Sequence, residues 1–400
     1  MIPRHAPPFS LVSLLSVLRH GHDVSPSALE KSCAEQFDVR ETILLPSART
    51  GILLALRVVA PTVEMVIGPA FTCAVVHQTM QLSGLQVRFI DSDPYGYLMD
   101  AEDLRKAADG PSAIVLSETY GLRYRTSGAA AGDKSPRIVR IWDMAMCVPR
   151  PADFRRLEAE DVAVLSFGLG KCLYAGWGGL LLTRSSELAA RVRDLRDRWM
   201  TPDTRANHLR HGLEVLARTA AHNRSLYGFG RTLADWRSRR AQTFTIPASS
   251  AASTLVPSEA DLPREWVEPM TPLNRRLAMA NLTRAAEGLD LRHRQAAEYF
   301  RHLKPLDLIS GIDMESLPDS HFPIRVASKA RNALRRYLLC RGIDTGTYFP
   351  FPRGLQRANY PNAARASDEV ILLPLGRSIR EGEATKIARH VTEGLSRVAS

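Results

Sequence analysis

The strongest chemical signal lies in the run DVAVLSFGLGKCLYAGWGG, where an apolar segment ends at Ser166 and a glycine-rich bend follows carrying Lys171. A lysine amine held on such a bend can attack a carbonyl group once it loses its proton. The run RIVRIW leads into Asp143, a carboxylate at a second strand tip. Further upstream, PSARTGILLAL opens a helical pattern with a polar turn, Ser47 to Thr50, and the free amides of a helix start receive phosphate well. Each feature has an ordinary structural use: a solvated surface lysine, Asp143 as a helix N-cap, a simple Ser or Thr cap. The combination is more specific, since it supplies an anion cradle, a strand-tip acid, a strand-tip hydroxyl and a lysine five residues later.

These groups need a scaffold that brings strand ends together. Apolar, β-rich runs begin at Val63, Gln86, Ala113, Arg137, Asp161 and Gly178, with helical patterns such as ARTGILLALRVV and AVVHQTMQLSG between several of them. Strands without clean alternation, separated by helices, predict an α/β domain with a mostly parallel sheet covered on both faces. Such sheets bind ligands at the carboxyl ends of their strands, where Asp143, Ser166 and Lys171 fall. Together the four parts make up what a pyridoxal 5′-phosphate site requires.

The rest of the chain bounds the reading. At 400 residues, 45% of them hydrophobic, it can bury a large core and divides into about two domains. The net charge of +11 attracts anions without naming one. Five scattered cysteines without a Cys-x-x-Cys pair suggest neither a zinc site nor a disulfide framework, and fit a reducing cytoplasm. The early run FSLVSLLSVL is short and serine-interrupted, so it reads as part of the fold, and no stretch approaches a membrane span. Expected divisions are an N-terminal segment with the large domain over 1–200, a basic helical insertion over 201–267, and an interdomain helix with a smaller α+β domain over 268–400. The insertion interleaves arginines with Leu, Tyr, Phe and Trp. It is expected to cover the site entrance, thicken a dimer, or make weak membrane contact through 202–267. Its irregular spacing and the lack of any recognised module argue against nucleic acid as a partner.

The motifs PSARTG, PAFTCAVV, FIDSDPYGYLMD, ETYGL, IWDMA, SFGLGK with AGWGG, GIDTGTYFP and LLPLG resemble, in order and spacing, those of the DegT/DnrJ/StrS sugar aminotransferases. That resemblance implies a fold-type I pyridoxal phosphate enzyme, with a mostly parallel seven-stranded sheet flanked by helices, acting as a homodimer. It places the Schiff-base lysine on Lys171, the ring-nitrogen carboxylate on Asp143 and the phosphate serine on Ser166. Phosphate-loop groups fall on Ala48, Arg49 and Thr50. The implied reaction moves an amino group, with glutamate as donor, onto a keto group of a sugar or similar polar intermediate.

Three positions depart from the pattern. Met146 stands where a His or Gln usually meets the ring hydroxyl, and Cys73 where an aromatic often stacks on the ring. A partner-subunit asparagine is expected near Pro269 and is absent. These departures keep a different pyridoxal phosphate reaction (dehydration, aldol-type or condensation) and a non-catalytic binding role in view, and they point to an untypical substrate, with the space above the ring open to a side chain such as His77 or Tyr120 or to part of the substrate. Glu118 and Tyr120 at a strand tip, and Tyr348 and Phe349 in GIDTGTYFP, are further candidates to line the site, with packing as the alternative.

Overall fold

A computed structural model describes residues 1–20, 23–124, 137–229 and 262–399. Helices α1 (Leu11–His20) and α2 (Pro26–Phe37) lead into strand β1 (Glu41–Leu45) and helix α3 (Ala48–Val59). Then follow β2 (Met65–Pro69), α4 (Ala74–Leu82), β3 (Gln86–Ile90), α5 (Ala101–Ala107), β4 (Ser112–Ser117) and β5 (Ile138–Asp143). After α6 (Pro151–Arg155), strands β6 (Val162–Ser166) and β7 (Gly179–Thr183) complete the sheet, and α7 (Ser186–Trp199) packs back on it. The expected seven-stranded, mostly parallel sheet is present, in the order β1-β7-β6-β5-β4-β2-β3. Only β7 runs against its neighbours. β1 escaped the sequence reading as a strand because its five residues open on a charged Glu41 and follow an exposed Arg40, which mask a short apolar run.

Helix α3 shows why the sheet is buried on both faces. Ile52, Leu53, Leu54 and Leu56 are all buried, each worth roughly 1.5–3 kcal/mol on removal from water. Gly51 lets this helix lie close to the sheet, since a Cβ there would stand 2.9 Å from Leu45 Cδ1 and 3.0 Å from Val164 Cγ1. On the opposite face, Leu44, Leu116, Trp142 and Leu165 join Phe37 of α2 and Phe154 of α6 in a second apolar layer.

Beyond the sheet come α8 (Arg205–Ala221), a short α9 (Arg264–Val267), α10 (Pro272–Leu282) and α11 (Ala285–Leu303). The interdomain helix expected at the start of 268–400 thus forms as two helices, α10 and α11. Thr283 turns its hydroxyl back to the Ala280 carbonyl at 3.0 Å, and Arg284 leaves helical geometry at ψ 9°. Strand β8 (Phe322–Arg325), helices α12 (Ser328–Cys340) and α13 (Pro361–Glu369), strand β9 (Val370–Leu373) and helix α14 (Glu383–Ala399) form the remaining unit. Its core is a two-stranded antiparallel sheet against α11, α12 and α14. The TIPASSAASTLVPSEADLP loop of the expected insertion lies, from its start to Asp261, outside the described residues.

A buried ion network ties this unit to the large sheet. Arg123 donates to Asp319 at 2.7 Å and to Asp153 at 3.1 Å, while Arg156 donates to Glu118 at 2.6 Å. Asp319 also accepts the Val148 amide at 2.8 Å and faces His293 Nε2 at 2.9 Å. Breaking such a pair from one side leaves a buried charge and costs about 3–5 kcal/mol.

His77 lies inside the large-domain core, with its Nε2 2.9 Å from the Pro69 carbonyl and its ring edge-on to Phe89. Burial lowers its pKa from 6.5 to about 4, the hydrogen bond to Pro69 opposing only part of the shift. The neutral ring therefore stabilises the fold fully above pH 6.5, and that contribution is lost as pH falls from 6.5 through 4. Urea unfolding at pH 7, 6 and 5 should show a shallower acid loss for His77→Gln than for the native chain, by up to ~1.4 kcal/mol per pH unit. Parallel slopes would remove His77 from the account.

Candidate active site

Because every strand but β7 runs in one direction, the carboxyl ends of β1, β2, β4, β5 and β6 gather at one edge together with the start of β7. Register then fixes the neighbours. Gly179 pairs with Leu45 on one side and Ser166 on the other, so the turn after β1 and the end of β6 flank the same glycine. A Cβ at Gly179 would lie 2.5 Å from both the Ala48 amide nitrogen and the Ser47 carbonyl carbon. Gly178 has φ +113°, and a Cβ there would meet Met270 Sδ at 2.3 Å. The glycine pair is what lets the helix start approach the strand.

At that start Ser47 caps α3, its Oγ accepting the Thr50 amide at 3.3 Å. The Ala48 and Arg49 amides precede it in the first turn, where a helix supplies no carbonyl partner. The Thr50 hydroxyl is committed elsewhere, donating to the Trp266 carbonyl at 2.9 Å. The Arg49 guanidinium rests 6.0 Å from the centre of the Trp266 ring. Ser166 Oγ, opposite, accepts the Gly168 amide at 3.3 Å, and the Lys171 amide closes the bend onto the Gly168 carbonyl at 3.3 Å. Lys171 itself is partly buried.

Asp143 stands at the tip of β5, its carboxylate accepting the Ala145 amide and the Ser117 hydroxyl at 3.1 Å each. Burial raises its pKa, while the nearby Lys171 charge and these two donors pull it back toward ionisation. Ser117, on the neighbouring strand in register with Asp143, was missed by the sequence reading, since a lone serine ending an apolar run carries no signal of its own.

The other sequence candidates divide. Cys73 is partly buried at the N-cap of α4 and makes no capping hydrogen bond. Met146, three residues past Asp143, is buried in the apolar cluster that holds Phe71, Tyr97 and Tyr120. Tyr120 and Phe349 both adopt left-handed backbone, at φ 62° and 69°, and stack at 5.6 Å. They are packing residues. Glu118 belongs to the arginine network. The expectation that His77 or Tyr120 fills space above a cofactor ring is therefore corrected: one is bound to Pro69, the other locked among aromatics.

Tyr348 keeps company that no sequence pattern announces. His5 lies against Gly170, next to Lys171, and shares a 3.2 Å hydrogen bond with the Tyr348 hydroxyl. His222 stacks on His5 at 4.6 Å, and His321 sits edge-on to Tyr348 at 5.1 Å. Their positions, near the N-terminus, after α8 and before β8, explain why spacing could not connect them.

The arrangement fits pyridoxal 5′-phosphate: a glycine-lined anion seat at a helix start, a carboxylate across from it and a lysine amine on the bend. Among the described residues no group of three His, Cys, Asp or Glu side chains is placed to hold a metal ion.

Comparison with known proteins agrees. A UDP-N-acetyl-3-dehydro-α-D-glucosamine 3-aminotransferase of Acidithiobacillus ferrooxidans is 23% identical over 379 residues, 90% of this chain and 86% of that one. A GDP-perosamine synthase of Caulobacter vibrioides is 26% identical over 182 residues, 44% of this chain and 48% of its own. A Streptococcus pneumoniae chain assigned as a sugar aminotransferase, solved in a pyridoxal phosphate form, superposes with a TM-score of 0.71 at 18% identity, with 100% of both chains covered. The model of the DegT/DnrJ/EryC1/StrS aminotransferase family matches residues 16–222 and 269–392. The chain belongs to this family, whose aminotransferases depend on pyridoxal 5′-phosphate.

Proposed function

We propose that this aminotransferase moves an amino group from glutamate to the keto group of a nucleotide-linked sugar. The observation that carries the reading is the single sheet edge shared by Lys171, Asp143, Ser166 and the start of α3, with Gly178 and Gly179 between them. Two relatives named for nucleotide-sugar substrates support the acceptor class, and a net charge of +11 suits a diphosphate.

In this reading the Ala48 and Arg49 amides and Ser166 hold the phosphate, and Lys171 Nζ holds the cofactor covalently. Bound pyridoxal phosphate supplies an electron sink for amino-group chemistry. Asp143, whose carboxyl burial pushes up while Lys171, Ala145 and Ser117 oppose that shift, would be the acid that meets the ring nitrogen. Lys171 Nζ, once free, would be the base able to take the proton from the amine-bearing carbon and the acid able to return it. Met146, buried among apolar residues, would offer the cofactor apolar bulk in place of a hydrogen bond. Thr50 supports the cradle through Trp266.

We also read the enzyme as a homodimer. Val12, Leu15 and Leu18 on α1 and Leu209, Leu213 and Leu216 on the adjoining α8 leave an apolar face exposed, and a second subunit would cover it. The inferred membrane contact would use the same face; no described helix is long and apolar enough to cross a membrane. A cytoplasmic setting is inferred from five cysteines, none of them in a disulfide.

Borohydride treatment of the holoenzyme should fix the cofactor's mass on Lys171, and Lys171→Ala should lose both that label and amino transfer by roughly 10²–10⁴-fold. An unchanged label would refute the assignment. Gly179→Ala, which drives a methyl group into the Ser47–Ala48 backbone, should weaken cofactor retention on dialysis and cost about 1–3 kcal/mol of stability. Sedimentation should give a dimer that survives dilution and added liposomes. A fully active monomer, or a dimer that dissociates onto anionic vesicles, would overturn the homodimer reading.

A further inference from the structure

The bend that carries Lys171 is a closed loop. The Ala175 amide donates to the Phe167 carbonyl at 2.9 Å and shuts its neck, and the Lys171 amide turns back onto the Gly168 carbonyl at 3.3 Å. The N-terminal strap, pinned where Ile2 exchanges backbone hydrogen bonds with Gly342 and Asp344, rests His5 against Gly170. Cys172 Sγ donates to the carbonyl of Met146 at 3.4 Å, three residues past Asp143. On the returning limb, two successive carbonyls are taken by side chains from about a hundred residues away in the chain. Asn281 Nδ2 donates to Tyr174 at 2.5 Å and Asn274 Nδ2 to Ala175 at 2.8 Å. Both asparagines are buried, and their spacing on α10 puts them on one face of that helix.

The amide of Asn274 is oriented from both ends. Its Oδ1 accepts the Thr271 amide and hydroxyl, at 3.2 and 2.7 Å, closing the capping box of α10, so its nitrogen must face Ala175. His211 Nδ1 of α8 stands 3.0 Å from the same oxygen. The approach of bend to helix is close: Gly176 has φ +92°, and a Cβ there would lie 2.9 Å from Asn274 Nδ2 and closer still to Val215 of α8. A side chain at this glycine would push the bend off both helices. With two successive peptide groups held, only Cys172 and Leu173 separate Lys171 from the grip.

We infer that Asn274 and Asn281 are positioning residues for Lys171: the grip of α10 on the returning limb aims the amine at the cofactor's carbonyl carbon. The inference rests on the reading that Lys171 holds the cofactor. In that capture the lysine nitrogen forms a double bond to the carbonyl carbon, whose oxygen leaves as water with the two hydrogens of the neutral amine. Among the described residues the asparagines bond to the bend, to Thr271 and to His211, whereas the phosphate seat opens α3 and the acid for the ring nitrogen ends β5. Noncovalent binding of the cofactor should therefore not need them.

The test separates capture from noncovalent binding. Apoenzyme is mixed with pyridoxal 5′-phosphate and the rise of the visible band is followed. Equilibrium dialysis gives the Kd for pyridoxamine 5′-phosphate, which presents the same phosphate and ring but no carbonyl carbon to Lys171. Asn281→Leu keeps a branched side chain and removes the donor. Asn274→Asp keeps an oxygen for the Thr271 cap while removing the donor to Ala175, and it stands in should the first variant fail to fold. Either variant should form the band at least about tenfold more slowly, because misplacing a reacting group by about 1 Å can cost about 10²-fold, with the pyridoxamine phosphate Kd within about twofold of native. Native capture rates would overturn the inference. A parallel loss of capture and of pyridoxamine phosphate binding would make the asparagines general supports and overturn it too, as would failure of both variants to fold. The Lys171 reading fails separately, if native apoenzyme binds pyridoxamine phosphate but forms no band with pyridoxal phosphate, or if Lys171→Ala forms it equally well.

Discussion

The backbone of β7 at Gly178–Gly179 must pass within touching distance of the first turn of α3, and much of the active edge depends on that approach. Antiparallel pairing with both β1 and β6 puts Gly179 between Leu45 and Ser166. Any side chain at this point would push the helix start off the strand and separate the amides that seat an anion from the serine and lysine opposite. The second half of the edge is set by parallel register, which aligns Ser117 with Asp143 and lets a neighbouring hydroxyl help hold the carboxylate ionised. Site chemistry therefore follows from strand order before any individual side chain is considered.

Much of this was legible locally. A strand, a polar N-cap turn and a glycine bend each write their signature within about ten residues, and so Ser47, Asp143, Ser166 and Lys171 stand out, as does the α+β character of the C-terminal unit. The resemblance of motif order to a known family added the seventh strand. Long-range companionship was not legible. Ser117 becomes informative only when its strand is paired, and His5, His222 and His321 only when a strap, the segment after α8 and the approach to β8 converge. Periodicity reports which face a residue takes on its own element and is silent about which other element arrives there.

Two of the three departures from the family pattern, Met146 and Cys73, also look different in three dimensions. Met146 is absorbed into the aromatic cluster that joins the large sheet to the C-terminal unit, so its apolar character serves packing between them. Cys73 remains at the start of α4 without a cap. The space it vacates is not taken by His77 or Tyr120, whose hydrogen-bond and stacking partners hold them in place.

The Arg123 network carries a consequence for how the protein is made. Arg123 and Glu118 lie within the first third of the chain, whereas Asp319, the carboxylate that Arg123 meets at 2.7 Å, lies 196 residues further on. At ribosomal speeds of about 5–20 residues per second, that interval lasts on the order of ten seconds or more. During it the nascent large sheet can assemble its strands but cannot close the charge cluster on its flank, so this edge stays hydrated and open. Maturation of the active edge is thereby tied to the arrival of the C-terminal unit, and a chain stalled before Asp319 would present chaperones and proteases with a nearly complete sheet that has no seal.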